Sequence, residues 1–114
     1  MVDQRRVLGA AGEEQAAAWY RARGYHVLAR NWRCRDGELD LVVRRRHEVA
    51  FVEVKTRRST RFGHPLEAVT ATKQARIRRL ALAYLQATGT RARALRFDVV
   101  AILGAELEVV EGAF

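Results

Sequence analysis

The sequence has a single cysteine, Cys34, so no intramolecular disulfide can form and no thiolate-rich metal centre can be assembled. It has no uninterrupted apolar run of transmembrane length, and its opening residues, Met1-Val2-Asp3-Gln4-Arg5-Arg6, carry no signal-peptide hydrophobic region. A cytoplasmic protein is the expectation. Neither GxGxxG nor GxxxxGK(S/T) occurs, which removes the glycine-rich phosphate loops of nucleotide-binding folds. Internal repeats and low-complexity linkers are also absent, so the 114 residues read as one domain, 1–114. A chain of that size buries roughly two thirds of its unfolded surface. Lysine is scarce. Of 21 Lys+Arg, 19 are arginine, and only Lys55 and Lys73 depart from that habit.

Apolar residues make up 49% of the chain and charged residues 30%, a balance that folds rather than staying disordered. The formal charge of +8 favours a polyanionic partner. Nucleic acid leads and an anionic membrane ranks below it, because no amphipathic anchor stands out. The planar guanidinium fork suits phosphate, although the arginine excess taken alone fits compositional bias or adaptation to heat equally well.

A helix is predicted from about Leu8 to Arg23, stopped by Gly24, with Ala11, Gln15, Ala18, Trp19 and Ala22 as the inward stripe. Gly12 interrupts it at a cost in stability that a close approach to a sheet explains. A strand follows over about Tyr25–Trp32, its alternation spoiled at Leu28, and Asp36-Gly37 turns the chain. Gly37–Val43 and Val49–Lys55 form a hairpin across a polar turn in which His47 reads as solvated. Thr56–Val69 has no clear period. Thr70 caps a second helix to about Ala87, closed by Thr88-Gly89, with Ile77, Leu80, Ala81 and Tyr84 inward and Lys73 on the same face. Ala94–Leu103 is a strand, and Leu107–Val110 a short last one. The order is α-β-β-β-α-β plus a terminal strand. A helical crossover then sets the fourth strand parallel to the third, giving an α/β fold with a central mixed sheet flanked by helices.

Asp40, Glu53 and Lys55 are charges set inside the hairpin strands. Strand alternation points Glu53 and Lys55 to one face and Val52 and Val54 to the other. Burying such groups costs several kcal/mol per ion unless partners or a metal compensate. Two carboxylates suffice for Mg²⁺ or Mn²⁺, hard cations that prefer oxygen and retain waters. Lys55 is positioned to orient water or offset phosphate charge, and as an ammonium it cannot ligate the metal. The plain alternative is an ion pair of Asp40 or Glu53 with Lys55 on an exposed sheet face. Asp98, embedded in the later strand, reads first as structural, paired with an arginine.

The D-x12-E-x-K arrangement of Asp40, Glu53 and Lys55 resembles the PD-(D/E)xK nuclease superfamily, whose restriction-endonuclease-like core has this α-β-β-β-α-β order. More narrowly, the chain resembles the small bacterial YraN-like family, related to archaeal Holliday-junction resolvases. The matching pieces are Gly9–Ala17, Gly24-Tyr25, Asn31-Trp32-Arg33, Gly37–Leu41, Phe51–Arg57, Phe62–Pro65, Lys73–Ile77 and Arg96–Val100, which together span nearly the whole chain. The resemblance implies a metal-dependent phosphodiesterase with Asp40 and Glu53 as metal ligands and Lys55 as the catalytic lysine. Glu13 matches the first-helix acid, with Glu14 ranked below it, and Lys73 matches a phosphate-holding basic residue. The proline of the superfamily's name is Leu39 here, and that proline has no chemical role.

Two functions from different classes follow. One is a divalent-metal-dependent endonuclease acting on DNA in preference to RNA, on branched or recombination intermediates, as a homodimer where two strands are cut symmetrically and with a protein partner where one is needed. The other is a non-catalytic nucleic-acid-binding or adaptor protein that retains the nuclease fold. Both use Arg57, Arg58, Arg61 and Arg76 as phosphate contacts. The acids separate them, since Asp40 and Glu53 repel phosphate unless a metal intervenes. Glu14 and Asp98 remain lower-ranked site residues.

Overall fold

The structure is a computed structural model and describes residues 4–58 and 63–114. Helix α1 (Gln4–Ala22) leads into a meander of β1 (His26–Cys34), β2 (Gly37–Arg45) and β3 (Glu48–Arg57). A short 3-10 turn (Pro65–Ala68), helix α2 (Ala71–Thr88), β4 (Ala94–Leu103) and β5 (Glu106–Val110) complete it. The strands form one sheet in the order β1-β2-β3-β4-β5. Every neighbouring pair is antiparallel except β3–β4, which α2 joins as a parallel crossover. This is the expected α/β architecture: a mixed sheet between helices, with one extra C-terminal strand. Among the described residues, no helix is long and apolar enough to cross a membrane.

Strand β3 sits at the centre, hydrogen-bonded along both edges and covered on both faces. That is why it reads as a near-continuous apolar run. Val49 and Phe51 pack with Ile77, Leu80, Ala81 and Tyr84 of α2, the predicted inward stripe. Ala50 and Val52 pack with Ala16, Ala17 and Tyr20 of α1. Helix α2 begins where its chemistry dictates: the Thr70 hydroxyl accepts the Lys73 N–H, and Gly89 closes the helix in the left-handed conformation with its N–H on the Leu85 carbonyl. In β1 the irregularity at Leu28 is a bulge, with the register shifting between Val27 and Ala29. The extra residue sends Val27 to the α1-side core and Ala29 to the α2-side core.

The inward stripe of α1 differs from the expectation. Ala11, Gln15, Ala18 and Ala22 are exposed and Trp19 only half-buried, whereas Gly12, Ala16, Ala17 and Tyr20 face the sheet. Alanines on every side leave the helix no strong period of its own, so two contacts with the sheet set its rotation. The Tyr20 hydroxyl donates to Asp98 Oδ2 at 2.6 Å. Gly12 packs so closely on β3 that a Cβ there would collide with Thr56 Oγ1 and come within 3.2 Å of Ile102 Cδ1.

Gly12→Ala should therefore destabilise the fold by about 1–3 kcal/mol, measured by urea unfolding. Thr56→Ala in the same chain should recover part of that loss, because it removes the colliding oxygen. Strictly additive effects would show that the contact does not set the helix position.

Candidate active site

The pairing of β2 with β3 runs from Arg45↔Glu48 to Leu41↔Val52 and ends there. At the same level the pleat of the β1–β2 ribbon breaks. Asn31 takes φ 51°, and neither Asn31 nor Asp40 has a partner between the pairs Arg30↔Leu41 and Trp32↔Leu39. Leu39 consequently packs on the α2 side while Leu41 packs on the α1 side, although residues two apart in a regular strand share a face. Asp40 turns into the gap left by the parting strands, and its Oδ2 accepts the Val54 N–H at 2.8 Å. A side chain thus satisfies an edge donor of β3 that the β2 backbone no longer reaches.

Glu53 and Lys55 project together, as alternation predicts, with Lys55 Nζ 3.0 Å from Glu53 Oε1 and side-chain exposures of 16% for Glu53 and 21% for Lys55. Val54, on the other face, packs against the α1-side core. The ion pair of the plain alternative therefore exists, but within one strand and largely enclosed. Glu13 follows Gly12, the residue that seats α1 against β3, and its charge reaches Asp40. Glu14 points away: it is exposed and pairs with Arg30 at 2.6 Å and Arg21 at 3.5 Å. The hydrogen bond from Arg30 and that residue's charge hold Glu14 below the usual carboxylate range.

Asp40 is pushed up to about 7, first by burial and then by the negative charge of Glu53. The Val54 N–H opposes this, Glu13 adds to it and Lys55 lowers it. Asp40 thus feels two further carboxylates and a single ammonium, and the cluster is short of positive charge. Its oxygen donors suit a hard divalent cation. Among the described residues, no three His, Cys, Asp or Glu side chains form a group able to hold a metal by themselves, so any cation there depends on water and phosphate oxygens for the rest of its shell.

The other candidate residues lie elsewhere. Asp98 is fully buried, and its carboxylate accepts from Tyr20 Oη, Arg96 Nε and Nη2, and the Gly112 N–H at 2.6–3.0 Å. Both oxygens carry two donors, the structural role that the embedded acid suggested, and neither faces the cluster. The burial and the Asp98 hydrogen bond raise the Tyr20 phenol, and the Arg96 guanidinium is likewise raised by its hydrogen bond to Asp98. Lys73 is exposed rather than on the inward face. Gln74 takes the inner position of that first turn, its amide donating to the Val69 carbonyl at 3.2 Å. Arg76 is exposed over the β1–β2 turn at Gly37, and Arg57 and Arg58 are exposed at the end of β3. Arg61 lies outside the described residues. Asn31 and Thr56 went unnoticed in the sequence as shapers of the site. The signal for Asn31 was an asparagine inside a strand, where the residue is depleted and where it tolerates positive φ.

The raised Asp40 makes a signed prediction for the metal-free protein. Its folded pKa lies above the unfolded value of 3.8, so the neutral acid is the form the fold favours. That stability is complete below about pH 4 and is lost as pH rises through about 7. In EDTA, chemical denaturation at pH 5 and pH 8 should show wild type losing on the order of 2 kcal/mol more than Asp40→Asn over that interval. Parallel pH profiles for the two proteins would show that Asp40 is not strained by its neighbours.

Residues 12–102 match the profile described as "Uncharacterised protein family UPF0102". A UPF0102 protein of Nocardia farcinica is 55% identical over 102 residues, covering 90% of this chain and 80% of that protein. One of Beutenbergia cavernae is 56% identical over 96 residues, covering 84% and 81%, and one of Moorella thermoacetica is 45% identical over 120 aligned positions spanning both chains completely. The family match covers the parted strands and the acids between them, and the fold has the element order of the PD-(D/E)xK nucleases. The chain belongs to the UPF0102 family.

Proposed function

We propose that this protein is a divalent-metal-dependent endonuclease that hydrolyses phosphodiester bonds in DNA, with branched or recombination intermediates as its preferred substrates. The observation that carries this reading is the convergence of Asp40, Glu53 and Lys55, with Glu13 from α1, at the point where β2 leaves β3. Carboxylates gathered beside one ammonium gain nothing from binding DNA without a cation, since they repel phosphate.

Asp40 and Glu53 would hold Mg²⁺ or Mn²⁺. Asp40 Oδ2 accepts the Val54 N–H, so Oδ1 would be the oxygen free to ligate the cation. A cation bound there supplies charge neutralisation at the scissile phosphate and acidifies an attacking water. Lys55, steadied by Glu53 at 3.0 Å, donates to a non-bridging phosphate oxygen or orients the water. Glu13, on α1, would support the metal or that water. Arg57, Arg58, Arg61, Arg76 and Lys73 are the phosphate contacts of this reading. A homodimer brings two sites to the two strands of a symmetric cut, and a protein partner is a further route to full activity.

A second reading, a nucleic-acid-binding adaptor that retains the nuclease fold, draws on the +8 charge.

Labelled linear, nicked and four-way-junction DNA incubated with Mn²⁺, Mg²⁺ or EDTA separates the two. The nuclease reading expects metal-dependent products that Glu53→Ala and Asp40→Ala each reduce by about 100-fold or more while DNA binding in EDTA persists. It also expects Mn²⁺ to raise the melting temperature of wild type and not of either variant. Binding without cleavage under every metal condition, with no thermal shift, would transfer the assignment to the adaptor.

A further inference from the structure

The opposite end of the sheet carries a second concentration of charge. The register pairs Arg45 with Glu48 and Glu48 with Ala94, which brings the β2–β3 turn beside the start of β4. The His47 carbonyl accepts the N–H groups of Arg93 at 2.8 Å and Ala94 at 3.3 Å, stapling the α2–β4 connection to the turn. Arg44 spans the same junction, donating from Nη2 to the Arg91 carbonyl, and its Nε is enclosed with no partner among the described residues. Two adjoining recesses result. One of about 440 Å³ is lined by Arg44, His47, Arg91, Ala92 and Arg93. The other, of about 300 Å³, shares His47 and Arg93 and adds Arg45, Arg46, Glu48 and Ala94.

The acid that lines the second recess, Glu48, is turned to Arg96, accepting from its Nη1 at 2.6 Å, and is outnumbered by the arginines around it. Among the described residues, none of Arg44, Arg45, Arg46, Arg91 or Arg93 is in an ion pair with a carboxylate. Five guanidiniums, on a backbone stapled by the His47 carbonyl, exceed the charge of a lone phosphate. They match a polyanion, and duplex DNA presents one charge per about 1.7 Å of its axis. Single strands are gripped through bare aromatic faces, whereas the ring of Tyr25, beside this patch, is already covered by the Arg45 and Arg96 guanidiniums.

We infer that this arginine-lined end is a second nucleic-acid contact, gripping the phosphates of a duplex about 20 Å along β3 from the acids, with Arg46, Arg91 and Arg93 reaching the backbone. The contact is independent of whether the acids hydrolyse anything. A duplex touching both ends would be held at two points and so oriented across the sheet. The turn itself supports the outward display: Arg46 takes φ 56°, and Arg46, Arg91 and Arg93 are all exposed.

The test is fluorescence anisotropy of a labelled duplex in EDTA across a salt series, comparing wild type with Arg91→Ala/Arg93→Ala. Neither arginine side chain supports the fold, so the double variant should melt like wild type. It should bind at least about 10-fold more weakly, and its slope of log affinity against log salt should fall by about 2, since each phosphate that an arginine neutralises contributes roughly 0.9. Because no metal is present, the outcome is read separately from any cleavage result. Phenylglyoxal labelling followed by mass spectrometry supplies a second readout, with Arg91 and Arg93 protected by duplex. An unchanged salt slope, or equal labelling of both arginines with and without DNA, overturns the inference.

Discussion

The structure hangs on β3. It pairs antiparallel with β2 on one edge and parallel with β4 on the other, and both its faces are sealed by helices from Val49 to Val52. A strand so enclosed tolerates no charge, and none occurs in that stretch. Charges return beyond Val52, where β2 no longer pairs with β3 and a gap opens. Asp40, Glu53 and Lys55 occupy that gap. The Asp40–Val54 hydrogen bond spans it and ties the two strands at the mouth. The geometry of the candidate site is thus a consequence of a sheet that stops pairing on one side.

The electrostatics follow from that position. Half-buried carboxylates lose much of their hydration, and at reduced dielectric each raises the cost of ionising the next. One ammonium, Lys55, does not offset three acids, and Asp40 carries the consequence. Elsewhere the protein handles buried charge differently. Asp98 is more deeply enclosed, yet it is met by an arginine, a phenol and a backbone N–H that occupy both oxygens. The contrast is between an acid whose hydrogen bonds are complete and a cluster whose charge is left unbalanced. Surplus positive charge accumulates at the far end of the same strands, where arginines line two recesses.

Much of this was legible in the residues. The Thr70 cap, the Gly89 stop and the stripe Ile77, Leu80, Ala81, Tyr84 lay on the surface of the sequence because α2 has a sharp apolar period and chemically distinct ends. Gly12 advertised a close approach, and Leu28 an irregularity, and the fold contains both. The rotation of α1 was not legible. With alanine on all sides, its inward face was decided by Tyr20 reaching Asp98 and by Gly12 meeting Thr56, contacts made across 78 and 44 positions of chain. The apolar period of α2 does not reach back to Lys73, because Gln74 turns inward in the first turn instead.

The sequence by itself determined the order of elements, the α/β class and the residues with chemistry to offer, because local period, capping and turn chemistry act over a few residues. It also determined that Glu53 and Lys55 share a face, which alternation alone requires. Only the tertiary structure decided that Asp40 meets them, that Glu13 joins them while Glu14 does not, and that Asp98 stands apart. It also decided that arginines from the β2–β3 turn and the α2–β4 connection share one end of the sheet. These outcomes depend on where one strand leaves another and on which way a featureless helix is turned. Both are settled by contacts between distant segments, through packing and hydrogen bonds that no local pattern encodes.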